Sequence, residues 1–198
     1  MVMLDFPRLR QVHNYDCGAI VIQDVLQYYG KDIREDKIIK LAKTKKRGTS
    51  LKEMLKTLRK YNLKTTSGKF TISHVKKYLD GGRPVILALQ AWSTKNKDGW
   101  EDLKKEKEFY TKKKSADEDW EHEWSDGHYV VAIGYDKSRM YFADPGMVLK
   151  EYLKFDELMK RWHDAEGRKS KGKKYIHYGI AVYGKKKVYD GRKAFHMP

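Results

Sequence analysis

The chain has 198 residues, 43 Lys and Arg against 27 Asp and Glu, a formal net charge of +16 and one cysteine. A single cysteine excludes an internal disulfide framework and a multi-cysteine zinc site, and it fits a reducing compartment. The length suits one domain with a sizeable core, the 40% hydrophobic content argues for a folded chain, and no window approaches a membrane span.

The charge leaves nucleic acid open as an alternative partner. However, the lysines cluster at 43–47, 104–114 and 168–174 without the interleaved aromatics of an RNA-binding sheet, which argues against that as the main role. The stretch Met1 to Arg8 has no charged start followed by a long apolar run, so no signal peptide is expected and the reading is cytoplasmic.

Residues 2–10 read as a short extended segment leading to a turn at Gln11. From Cys17 to Tyr29 the chain is apolar on nearly all sides, with only Gln23, Asp24 and Gln27 polar, which predicts a helix buried inside the domain. Gly30 supplies the residue type that ends it. Cys17 then sits at the positive end of the helix dipole, where thiolate is favoured. Asp16 is a candidate N-cap.

A second helix is expected from Asp32 to the basic run at 43–47, broken by Gly48. Ser50 and Glu53 read as a capping box opening a third helix to about Tyr61. Leu63 to Ser67 is a short extended piece. Ile72, Val75 and Leu79 give a fourth helix closed by Gly81-Gly82.

Pro84 to Leu89, Tyr129 to Tyr135, Met140 to Ala143 and Ile176 to Tyr183 are short apolar runs of the buried-strand kind, with a hairpin turn at 136–138. Helices first and strands later predict an α+β domain with a mainly antiparallel sheet. The stretch 93–126 shows neither pattern and reads as an insertion or flap within the single domain 1–198. A charged helix over 101–114 is one option within it. Six carboxylates lie between 117 and 126, and Trp120 and Trp124, four apart, could form one face of a short helix.

Gln11 and Asp16-Cys17-Gly18, leading into a helix that ends Tyr28-Tyr29-Gly30, resemble the first motif of the C39 peptidases, papain-like cysteine proteases that remove double-glycine leader peptides. His128 before a Val-Val-Ala-Ile-Gly strand, and Asp144 in Asp-Pro-Gly, resemble the second. Gly48-Thr49-Ser50-Leu51 and Gly82-x-Pro-Val-Ile resemble the segments between them. The resemblance implies a papain-like fold and a peptide or protein substrate. It implies Cys17 as nucleophile, His128 as base, Asp144 as the group that orients it and Gln11 as oxyanion donor, with no cofactor and no metal.

A non-proteolytic relative that binds a peptide in the same groove is one rival. A metal site built from Glu121, His122, Glu123 and His128 is another. His13 is expected near the site in a structural or substrate-contacting role. Gly81-Gly82 resembles a self-cleavage site but also suits a helix end.

Overall fold

The computed structural model describes residues 1–91, 119–147, 150–167, 172–185 and 189. Helix α1 (Cys17–Tyr28) is buried along most of its length because Ala19, Val21, Ile22, Val25 and Leu26 leave it no polar stripe. It packs with α2 (Glu35–Leu41) and α3 (Leu51–Lys60) on one face of a sheet that contributes Ile86, Val131, Ile133, Ile180 and Val182. Leu87, Val130, Ala132 and Ala181 point the other way. They meet Val75 and Leu79 of α4 (Ile72–Asp80), Leu158 of α5 (Phe155–Arg161) and the adjoining Trp162. Burial on both faces explains why the central strands read as unbroken apolar runs. Each fully buried Leu, Ile or Val is worth about 1.5–3 kcal/mol.

The sheet is antiparallel throughout. It runs β2 (Lys64–Lys69), β9 (Tyr178–Tyr183), β3 (Val85–Gln90), β4 (Gly127–Tyr135), β5 (Arg139–Ala143) and β6 (Glu151–Lys154), with β1 (Val2–Met3) paired to the far end of β4. β7 (His163–Glu166) and β8 (Lys173–Ile176) form a separate two-stranded sheet. The tyrosines at the end of α1 fasten it to the sheet region: Tyr29 donates to the Val182 carbonyl at 2.8 Å and Tyr28 to that of Gly82 at 2.9 Å. Among the described residues no helix is long and apolar enough to cross a membrane.

Most expected elements are present, with several differences. The second helix starts at Glu35 rather than Asp32, because Arg34 is extended and brackets Asp36 at 3.0 Å. At α3 only half of the capping box forms: Ser50 accepts from the Glu53 N–H at 3.3 Å, while the Glu53 carboxylate faces Lys43 at 3.4 Å. The run 176–183 is broken at His177, which takes φ 52 and divides it into β8 and β9. His177 N–H donates to the Trp162 carbonyl and its own carbonyl accepts from Phe70, both at 2.8 Å, so the kink joins three segments.

Residues 92–118, including the expected charged helix at 101–114, lie outside the described residues. Trp120 and Trp124 lie on a turn and the irregular stretch after it, not on a helix, and they diverge. Trp120 is buried with the Arg161 guanidinium 4.1 Å from its ring, whereas Trp124 packs on His163 at 4.3 Å and under Lys174 at 4.4 Å.

Candidate active site

Cys17 is the first residue of α1 and is 8% exposed. Asp16 occupies the N-cap position without capping the helix through its side chain; its carboxylate instead accepts from the His13 N–H at 3.0 Å. The carboxylate thus shapes the 13–16 turn and leaves the first-turn N–H groups of α1 without a side-chain cap. Gly18 follows because there is no room for a side chain. A Cβ there would lie 2.6 Å from that of Thr49 and 3.2 Å from the Tyr129 ring. The region 44–50 and strand β4 therefore close on the turn that carries the thiol.

His128 lies near the start of β4 and is 1% exposed. Its Nε2 donates to Asp144 Oδ1 at 2.7 Å, and the Cys17 thiol is among its hydrogen-bonding contacts, which leaves Nδ1 as the nitrogen for the sulfur. Burial opposes a charge on the ring. The Asp144 carboxylate, with help from Cys17, outweighs it and holds the imidazole at a pKa of about 10. Asp144 is the first residue beyond β5, where its Oδ1 also accepts from Gly146 N–H at 2.6 Å. Burial pushes this carboxyl up, but the imidazolium, hydrogen bonds and neighbouring Glu151 bring it below the usual carboxylate range.

Gln11 is 7% exposed and joins the two halves of the site. Its backbone N–H donates to the Pro145 carbonyl at 2.8 Å, one residue past Asp144, and its side-chain Nε2 donates to the His13 carbonyl at 2.7 Å. The structure therefore brings Cys17, His128 and Asp144 into one chain of contacts and fixes Gln11 to the Asp144 turn.

A groove of about 1070 Å³ is lined by Cys17 together with Thr49, Tyr129, Asp164, Trp124, Lys45 and Arg47.

Two carboxyls near the site gave no sequence signal. Asp164 on β7 lies against Gly127, where a Cβ would come within 2.1 Å of its Oδ1, and burial raises it to about 6. Glu151 opens β6 beside Asp144; burial and then the Asp144 charge raise it to about 8. An isolated acid in a strand of alternating burial looks like a solvated residue, and only the pairing of β5 with β6 brings it inward.

The other candidates fall elsewhere. His13 contributes backbone atoms to the turn and stacks its ring on Tyr15 at 5.1 Å. His122 is exposed and pairs with Asp119 at 2.8 Å, while His128 is buried, so the four residues proposed for a metal do not gather. Among the described residues no group of three or more His, Cys, Asp or Glu could hold an ion. Gly81 is the C-cap of α4 and Gly82 takes φ 68, so Gly82 meets a conformational need of that turn.

The fold resembles several solved structures. A double-glycine-motif protease from an AMS/PCAT transporter, in complex with its leader peptide, aligns with a TM-score of 0.60 at 16% identity over 91% of this chain and 93% of that one. A C39-like peptidase from Bacillus anthracis gives 0.61 at 16% over 94% and 98%. The peptidase domain of Streptococcus ComA, a bifunctional ABC transporter of a quorum-sensing pathway, gives 0.58 at 18% over 88% and 96%. The architecture is thus the papain-like peptidase fold. No curated protein matches the chain. The profile of the Peptidase_C39 like family matches residues 3–170, and the chain belongs to that family.

Proposed function

We propose that the protein is a cysteine peptidase that hydrolyses a peptide bond with Cys17 as nucleophile, His128 as acid and base, Asp144 as the orienting carboxylate and Gln11 as oxyanion donor. The observation that carries this reading is the buried chain of contacts from Cys17 through His128 to Asp144. A histidine made this basic takes the thiol proton onto its neutral ring, which gives a thiolate–imidazolium pair.

The sulfur attacks the scissile carbonyl carbon and the carbonyl π electrons move to oxygen. That oxyanion is met by the Gln11 N–H not engaged by His13, together with N–H groups of the first turn of α1. His128 then protonates the leaving amine as the C–N bond breaks. It next deprotonates a water that hydrolyses the thioester, and the thiolate leaves. Asp144 keeps the ring in one orientation through both transfers.

The double-glycine-motif protease among the similar structures supports a Gly-Gly pair next to the scissile bond. The relative solved with a leader peptide supports a leader-type substrate. The stretch 93–126 is proposed to bias which peptides enter. The test is incubation with peptides carrying a Gly-Gly junction and mass analysis of the products, with Cys17→Ala as control. Cleavage lost in the variant supports the reading. Peptide binding without cleavage would instead make the protein a non-proteolytic peptide-binding member of the family.

A further inference from the structure

The carboxylate that holds His128 is itself faced by a second carboxyl. In the β5–β6 ladder Glu151 lies opposite Phe142. Cross-strand partners share a face of the sheet, and so do residues two apart along a strand. Asp144, two beyond Phe142, is therefore a diagonal neighbour of Glu151, and the two carboxyls are in hydrogen-bonding contact. The charged groups facing Glu151 are Asp144 from the turn after β5, His128 from β4 and Arg161 from α5. The arginine is already engaged, donating to the carbonyls of Gln90 and Ala91 and to Glu157.

Two adjacent carboxyls do not both ionise readily, so one retains a proton near neutrality. The donors decide which. Asp144 accepts from His128 and from Gly146, which makes it the anion. Among the described residues Glu151 has no such N–H donors, so it keeps the proton.

We propose that Glu151 is a positioning residue for the His128–Asp144 pair, donating its carboxyl proton to Asp144 and so setting how firmly Asp144 holds the imidazolium. This rests on the reading of Cys17 and His128 as the reacting pair. While protonated, Glu151 draws charge from Asp144 and loosens its hold on His128. Once Glu151 ionises, near pH 8, a second negative charge strengthens that hold. A unit charge at close range in a partly buried site moves a neighbouring pKa by about one unit. The imidazolium that protonates the leaving amine therefore persists further into alkaline solution than Asp144 alone would allow.

The test is NMR titration of the full chain, with labelled histidine side chains and labelled glutamate carboxyls, in the unaltered protein and in Glu151→Gln, which keeps a donor but cannot ionise. In the unaltered protein the Glu151 carboxyl titrates near pH 8 and the His128 signals respond at the same pH before their own transition. In Glu151→Gln that early response vanishes and the His128 transition moves down by about one unit. A Glu151 midpoint in the ordinary glutamate range, measurable without any variant, overturns the proposal. So does a His128 titration that Glu151→Gln leaves unchanged. Neither readout requires turnover, so a protein that cleaves no peptide yet shows the linked titration refutes the peptidase reading and leaves the linkage of Glu151, Asp144 and His128 standing.

Discussion

Gly18→Ala sets two effects against each other. Near the start of a helix, alanine should stabilise by about 0.5–1 kcal/mol relative to glycine. Here the new Cβ would sit 2.6 Å from Thr49 Cβ and 2.8 Å from its Oγ1, with the Tyr129 ring at 3.2 Å on another side. Carbon atoms pack at about 3.5–4.0 Å, so roughly 1 Å must be recovered. Thr49 has little freedom to retreat, because it is buried and its hydroxyl is bonded to that of Thr44 at 2.7 Å. Overpacking of this kind costs about 1–3 kcal/mol, so the net expectation is a loss of up to about 2.5 kcal/mol. Part of the strain should move the turn bearing Cys17, and a misplacement approaching 1 Å is worth up to ~10²-fold in rate. Urea denaturation measures the first effect and iodoacetamide labelling of Cys17 in the folded protein the second. A variant more stable by about 1 kcal/mol with unchanged labelling would refute the claim that the 44–50 region and β4 clamp the thiol's turn.

Four further outcomes are expected. Cys17 should be alkylated faster than a free thiol at mildly acidic pH, and His128→Ala should slow it; a thiol that labels only after unfolding contradicts the reacting pair. Gln11→Ala should lower turnover by about 10²–10³ with little change in substrate affinity, because the charge it stabilises arises only in the transition state; equal losses in both would make it a substrate-binding residue. Asp144→Asn should preserve folding while reducing rate, and an unchanged rate removes it from the mechanism. Stability should be pH-dependent: His128 is raised from 6.5 to about 10 in the folded chain, so its contribution is complete below pH 6.5 and is lost as the pH rises through 10. Denaturation curves with identical pH dependence in His128→Gln would contradict this.

What was legible in the sequence was what burial imposes. α1 is apolar all round because it lies inside the domain, and β3 and β4 are continuous apolar runs because helices cover both faces. Strand β6 alternates between half-buried and exposed residues at the sheet edge, so Glu151 carries no hydrophobic signal. Helix α5 buries only Leu158 and Arg161, too few positions to mark a period. Its arginine is buried by capturing the carbonyls at the end of β3, a long-range pairing that no local pattern announces. His177 fails the strand reading for a similar reason, since a left-handed backbone at a non-glycine residue is set by partners distant in sequence. For the site, the resemblance named four candidate residues, but the side-chain partners of Asp16 and Asp144 depended on the folded turn.

The bond from Gln11 N–H to the Pro145 carbonyl joins the first motif to the second through backbone atoms alone. Every amino acid supplies a carbonyl, so the tie is indifferent to the identity of residue 145 as far as acceptance is concerned. It is sensitive to chain length. One residue inserted or deleted between Asp144 and Gly146 would offer the wrong carbonyl to Gln11 and shift Gln11 relative to the histidine. Drift of this turn across relatives should therefore run through substitution rather than through insertion or deletion.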